Sequence, residues 1–494
     1  MRPSRSGLTG NLSLYQIQTR VALSELGQKL GRKATLDDIP DQDLDHLAER
    51  GFDWIWYLGI WQTGVAGRNV SESHSEWQAG YWEILPDLQP SDISGSPFAI
   101  TAYVVHSDFG GRPALERLRE RLHQRGMRLM LDFVANHTAP DHPWVQAHPE
   151  FYVPGDEEKL GHEPHNYVRI EMRGSQILAY GRDPYFSGWP DTLQLNYAEP
   201  PLQAAMREEL LGVASQCDGV RCDMAMLLLP EVFERTWELR AESFWPEAIG
   251  TVRREHPEFL FMAEVYWGLE WTLQQQGFDY TYDKKLYDLL RSGHARPVRD
   301  HFSADLSFQR KSARFLENHD EPRAAAVFSW EMHQPAAVLT YLCPGLRFFH
   351  DGQLEGRSKR LSVHLGRGPT EQAQPLVKEF YDRLLRCVQQ PLARDGQWRM
   401  LSCSAASEGD WTWECFVCFL WEATSELPLL VAVNYADHQS QCYAQLPTQA
   451  LWGQIVRGRD LLSPAVYEGK CDESGRLFLG LQAWGYRVLA LAAG

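Results

Sequence analysis

Asp218-Gly219-Val220-Arg221-Cys222-Asp223-Met224 places a cation two positions before a carboxylate, after a small apolar step. Residues two apart in a strand project from the same face. A strand that ends at Asp223 therefore sets Arg221 and Asp223 side by side. A guanidinium beside a carboxylate keeps it ionised and fixes its direction. An ionised Asp at the C-terminal end of a strand meets the requirements of a nucleophile. The same residues also accommodate an ordinary Arg–Asp pair, so their meaning depends on what the neighbouring segments supply.

Outward from this stretch the chain alternates between helical and strand patterns. Asp41 to Arg50 reads as a helix with Leu44, Leu47 and Ala48 on one face, closed by Gly51. Phe52 to Leu58 follows as a buried strand. Pro113 to Gln124 is helical and leads to a strand from Met127 to Val134. Leu202 to Cys217 leads in the same way to Gly219–Asp223, and Ile249 to His256 to Phe259–Glu264. Leu14 to Ile17 precedes these units. Phe278 to Tyr282, Ala313 to Leu316 and Leu346 to His350 follow them. Such alternation indicates parallel βα units, and about eight strands favour an α/β fold of the closed (β/α)8 TIM-barrel type.

Two regions break the rhythm. Residues 138–195 lack a clean period and are rich in His, Pro, Gly and Tyr, which suggests a subdomain inserted after strand three. From about Leu392 the pattern becomes short apolar strands such as Trp413 to Leu420, Leu429 to Asn434 and Tyr486 to Leu491. The expected organisation is a catalytic barrel over 1–390, carrying the insertion, and an antiparallel β-sandwich over 391–494.

Composition narrows the function. The 494 residues carry a formal net charge of −17, which argues against nucleic acid or anionic membranes as partners. No apolar run approaches the ~20 residues of a membrane span, and no apolar stretch follows Met1 to Ser6, so no secretory signal is read. The nine cysteines are scattered except for Cys415-Phe416-Val417-Cys418. All nine read as reduced thiols of a cytoplasmic protein. Aromatic residues make up 12% of the chain, and sugar-binding clefts use such rings as platforms.

Barrel active sites lie at the C-terminal strand ends. There the sequence places Asp132 to His137, Arg221 with Asp223, Glu264, and Glu317-Asn318-His319-Asp320. Acids from separate strands, with Arg and His among them, suit cleavage of a glycosidic bond. One carboxylate attacks, one protonates the leaving oxygen, and a third holds hydroxyls. Each residue also has an ordinary alternative, since Asp132 could cap a loop and Glu264 could pair with an Arg.

These stretches resemble glycoside hydrolase family 13, the α-amylase family, in its order of motifs: Asp132 to His137, Gly219 to Asp223, Met262 to Glu264 and Phe315 to Asp320. Trp189 to Asn196 resembles a further family stretch. The resemblance implies Asp223 as nucleophile, Glu264 as general acid and base, and Asp320 as the group that grips the sugar hydroxyls. It implies that Arg221 positions Asp223, and that His137, His319, Phe98 and Asp132 serve substrate binding. Like-charged neighbours Asp223 and Asp320 are expected to raise the Glu264 pKa. No metal is needed for that chemistry. A structural calcium is possible, with Asn136 as the candidate ligand.

The chain also departs from the family pattern. Ser96 to Tyr103 lacks the hydroxyl-binding acid of many small-glucoside members, and Met224 to Leu227 lacks the Lys-His pair of starch amylases. The motif Asn136 to Trp144 is closer to the branch acting on short α-glucosides. The expected function is a retaining α-glycosidase with a carbohydrate substrate. A transglycosylase on the same machinery is the alternative, and a noncatalytic family relative is a remote third. Oligomeric state is not read from the sequence.

Overall fold

The computed structural model describes residues 10–171, 174–423 and 426–493. The Met1 to Ser6 reading lies outside them. Eight parallel strands close into a barrel in which each strand's neighbours are also its neighbours in sequence. They are β1 (Ser13–Gln18), β2 (Trp54–Leu58), β3 (Arg128–Val134), β4 (Gly219–Asp223), β5 (Leu260–Ala263), β6 (Tyr280–Tyr282), β7 (Ser312–Arg314) and β8 (Leu346–His350). All five residues of β2 are buried, as are all five of β4. A parallel strand is covered on both faces, which is why β2 is a continuous apolar run rather than an alternation.

The helix-to-strand turns follow from the sequence. Helix Asp41–Glu49 is followed by Arg50 and then Gly51, whose φ of 88° is a left-handed value that a glycine adopts at low cost. Helix Gly111–His123 ends at the same kind of turn at Gly126, φ 74°. Asp218 then ties that helix to the barrel. Its Oδ1 accepts from Arg119, and its Oδ2 accepts from the Leu129 amide at 2.8 Å and lies 2.8 Å from His123 Nε2.

Strands β6 and β7 are shorter than expected. Just before β6, the Asp279 amide donates to Phe261 O at 3.0 Å while its carboxylate accepts from Arg253 and from the Phe261 amide. Beyond Arg314 the chain leaves β7. Glu317 draws it away by accepting from Arg323 and from the Ala324 amide at 2.7 Å. Residues 315–320 are thus a loop above the barrel mouth.

Two excursions also stand above the C-terminal strand ends. Residues 139–192 form the insertion after β3, clasped at its neck by the antiparallel pair His137–Thr138 and Leu193–Gln194. The other, unread in the sequence, follows β2. Strands Trp61–Thr63 and Ile100–Val105 pair, and helices Val65–Ser73 and Ser75–Ile84 lie between them.

After helices Pro375–Val388 and Pro391–Asp395 the chain becomes antiparallel β. A six-stranded and a three-stranded sheet face each other. Alternate residues of strand Phe416–Glu422 point opposite ways. Phe416, Cys418 and Leu420 fill the space between the sheets, while Val417, Phe419 and Trp421 join the barrel's core. Among the described residues no helix is long and apolar enough to cross a membrane.

Candidate active site

Arg221 organises the mouth of the barrel. It is 1% exposed and lies 5.5 Å from the Trp56 ring centroid, 5.2 Å from Phe98 and 5.9 Å from Tyr282. Its Nη1 donates to Asp223 Oδ1, and its Nη2 donates to Glu264 Oε2 at 2.5 Å. One planar guanidinium therefore holds both carboxylates. Burial opposes the guanidinium's charge, but Glu264, Tyr282 and Asp223 more than offset this and hold its pKa well up.

Glu264 begins where β5 ends. Its Oε2 also accepts from the Met224 amide at 2.8 Å, and its Oε1 accepts from the Tyr266 hydroxyl at 2.8 Å. Met224 aims that amide from a left-handed backbone, φ 43° and ψ 44°, which is uncommon for a residue with a side chain. Arginine and amide N–H groups only donate, whereas a hydroxyl both donates and accepts. A protonated Glu264 consequently carries its proton on Oε1, facing Tyr266. Burial is the leading cause that raises the Glu264 pKa, Arg221 opposes it, and Asp223 and Asp320 raise it further. Like charge contributes as expected, but desolvation leads. Asp223 is raised by burial against the pull of Arg221.

Asp320 is the open member, with 39% of its side chain exposed. Burial of its surroundings raises its pKa, while Arg221 and Arg360 lower it. His319 lies beneath it, with Nδ1 2.8 Å from the Gln16 side-chain amide. With that amide donating, the ring proton sits on Nε2. This nitrogen is 3.1 Å from Asp320 Oδ2 but has no aligned partner among the described residues. Burial, then Arg221, keeps His319 neutral. Phe98, half-buried, sits 5.6 Å from the His319 ring. His137 is buried against Trp189 at 5.4 Å, and burial pushes its pKa down to about 3.

Asp132 does not join this group as an open ligand. Its Oδ1 accepts from Trp56 Nε1 at 3.2 Å and its Oδ2 from the Gly59 amide at 2.8 Å. It therefore holds the end of β2 and the Trp56 ring that covers Arg221. Asn136, the calcium candidate, is paired through its side-chain amide with Gln194. Its Oδ1 accepts from Gln194 Nε2 at 3.0 Å, and its Nδ2 donates to Gln194 Oε1 at 3.1 Å. Both ends of its amide are used. Among the described residues the one group of three or more potential metal ligands lies elsewhere, in the C-terminal domain.

Sequence reading passed over Tyr266, Met224, Gln16 and Trp56. Tyr266 alone left a signal, as a hydroxyl two residues from an acid at a strand end. It also passed over exposed aromatic rings. Trp267, φ 65°, packs 4.9 Å from the Tyr185 ring of the insertion, and Phe186 and Trp271 are exposed.

The family description "Alpha amylase, catalytic domain" matches residues 98–360. "Alpha-amylase MalA" of Haloarcula japonica is 25% identical over 357 residues, covering 70% of this chain and 44% of that protein. "Alpha-1,4-glucan:maltose-1-phosphate maltosyltransferase" of Pseudomonas aeruginosa is 27% identical over 244 residues, covering 48% of this chain and 30% of that protein. The chain thus spans less than half the length of these curated relatives. Among solved structures, "a noncanonic maltogenic alpha-amylase AmyB from Thermotoga neapolitana" superposes with a TM-score of 0.70 at 19% identity, covering 98% of this chain and 99% of that one.

Proposed function

The chain belongs to the α-amylase family of glycoside hydrolases, and from that premise we propose that it is a retaining α-glycosidase acting on short α-glucosides by double displacement. The observation that carries the reading is the single guanidinium shared by Asp223 and Glu264. Two carboxylates tied to one fork stand close together, which favours the ~5–5.5 Å spacing of retaining enzymes over the wider spacing that admits a water between them.

In this reading Glu264 Oε1 gives its proton to the glycosidic oxygen as Asp223 attacks the anomeric carbon. The bond to the leaving sugar breaks and a covalent glycosyl-Asp223 forms. Glu264, now a carboxylate, takes a proton from the incoming hydroxyl, which attacks the same carbon and releases Asp223. Asp320 and the Nε2–H of His319 hold hydroxyls of the sugar in between. Three carboxylates suffice, so the steps themselves draw on no metal. Nine free cysteines suit a reducing, cytoplasmic setting. Mass mapping of native protein that found disulfides would overturn that location.

A transglycosylase is the second reading. It is favoured by the exposed rings of Tyr185 and Trp267, 4.9 Å apart with Trp267 three residues beyond Glu264, since rings of this kind can hold an acceptor sugar. The relative from Pseudomonas aeruginosa is named as a maltosyltransferase. Products from α-glucosides incubated with and without an added acceptor separate the two readings.

Azide rescue tests the roles. Asp223→Ala with azide should give the inverted glycosyl azide, because azide enters from the vacated face. Glu264→Ala with azide should give the retained product, because Asp223 still attacks first. Its loss should be mild with an activated aryl leaving group and severe with a sugar. The opposite anomers would exchange the two roles, and wild-type activity in both variants would move the active site elsewhere.

A further inference from the structure

The sulfurs of Cys403, Cys418 and Cys442 all lie within 4.8 Å of one another. They come from three different strands. Cys418 belongs to Phe416–Glu422 of the six-stranded sheet, while Cys403 and Cys442 belong to the paired strands Cys403–Ser404 and Ser440–Gln445 of the three-stranded sheet. The chain brings them together by changing sheets. Gln397–Met400 pairs with Phe416–Glu422, the Leu401 amide donates to Cys418 O at 2.9 Å, and Cys403 then pairs across to Ala444. The cluster therefore sits at a corner where the two sheets converge.

We propose that Cys403, Cys418 and Cys442 form a binding site for a divalent, thiophilic ion of the zinc group, which clamps the two sheets of the C-terminal domain. A metal about 2.3 Å from each sulfur needs the sulfurs about 4 Å apart, and the 4.8 Å limit on their separation accommodates it. Sulfur-only ligation selects soft d10 ions over calcium or magnesium. Cys418 and Cys442 are fully buried, and Cys403 is partly exposed. That exposure provides an entry path and room for a water as fourth ligand.

Charge favours a divalent ion. Binding converts three thiols to thiolates, releases up to three protons and leaves one net negative charge, with no oxidation. Arg299, which donates to Glu414 O at 3.0 Å and Phe416 O at 3.2 Å, supplies a positive charge on the same side. The neighbouring Cys415 belongs to a different contact, 3.7 Å from His438 Nε2.

The test titrates reduced protein with Cd2+, counting bound metal and following sulfur-to-cadmium charge-transfer absorption. One ion per chain, displaced by Zn2+, is expected. Cys403→Ser should weaken binding by roughly a hundredfold, whereas Cys471→Ala, a buried cysteine outside the triad, should leave it unchanged. Bound Cd2+ should also protect Cys403 from alkylation in the unmutated protein, a readout that does not depend on the variant folding. Substoichiometric binding, binding indifferent to Cys403→Ser, or absence of protection would each overturn the proposal.

Discussion

At the residue scale, the chemistry turns on which groups share Glu264. Tyr266 donates to Oε1 while Arg221 and Met224 donate to Oε2. A donor bonded to a carboxylate favours the charged form, and a charge-assisted bond outweighs its neutral counterpart. Removing the hydroxyl therefore raises the Glu264 pKa, which burial has already raised. As the general acid, Glu264 is active while protonated, so activity falls as pH rises through its pKa. In Tyr266→Phe the alkaline limb of kcat/KM should move to higher pH by about half to one unit. A pH–rate profile for wild type and variant checks this, and a limb that stays in place or moves down would assign it to another group. Asp223 and Glu264 were legible in the sequence because one ends β4 and the other directly follows β5, whereas Asp320 lies at the far end of the loop after β7. The partners of Asp132, Trp56 and Gly59, belong to another strand end and have no local trace in the sequence.

At the element scale, two side-chain amides hold the neck of the insertion. Asn136 and Gln194 bond reciprocally, and Gln194 Nε2 also donates to Asn136 O at 3.0 Å and Leu195 O at 3.1 Å. Gln194→Leu keeps the volume but leaves buried polar groups without partners, at a cost of about 1–3 kcal/mol. The loss should appear locally, as faster amide exchange over residues 139–192 while the barrel strands keep their protection. A calcium-selective chelator should leave the wild-type Tm unchanged. A fall in Tm restored by Ca2+ would overturn the amide neck as the holding element. Sequence patterns revealed the barrel strands because β2 is an unbroken apolar run and β3 is interrupted only by Arg128 and Asp132, each entered from a glycine turn at Gly51 or Gly126. They did not reveal helices Val65–Ser73 and Ser75–Ile84. Few residues of these two helices are fully buried, so neither presents a wide apolar stripe. The packing that holds this region comes from Val21, Leu361 and Leu365, far away in sequence.

At the scale of the whole molecule, the C-terminal sheet has two buried faces, and this couples the domains. One face encloses the space that holds the cysteine triad, and the other continues the barrel's core through Val417, Phe419, Trp421, Val431 and Val433. Polar bonds cross the same seam. Trp421 Nε1 donates to Leu342 O at 2.7 Å, and the Tyr435 hydroxyl donates to Leu290 O at 2.8 Å. The sequence did disclose that a β domain follows the barrel, since short apolar runs replace the helical pattern near Leu392. It did not disclose the seam, because a strand buried on both faces looks the same whatever covers it. A sheet that shares its core with the barrel cannot unfold without exposing both. Heating should therefore give one transition, with far-UV circular dichroism and tryptophan fluorescence coinciding. Trp421→Ala removes a large buried ring and leaves Leu342 O without its donor, so it should destabilise the whole by about 3–5 kcal/mol. Because the lost contact lies between the domains, the damage should lower both together and keep a single transition. Two separated transitions in the wild-type protein, or a variant in which the barrel melts unchanged while the β domain alone falls, would mean that the seam is a surface contact and not a common core.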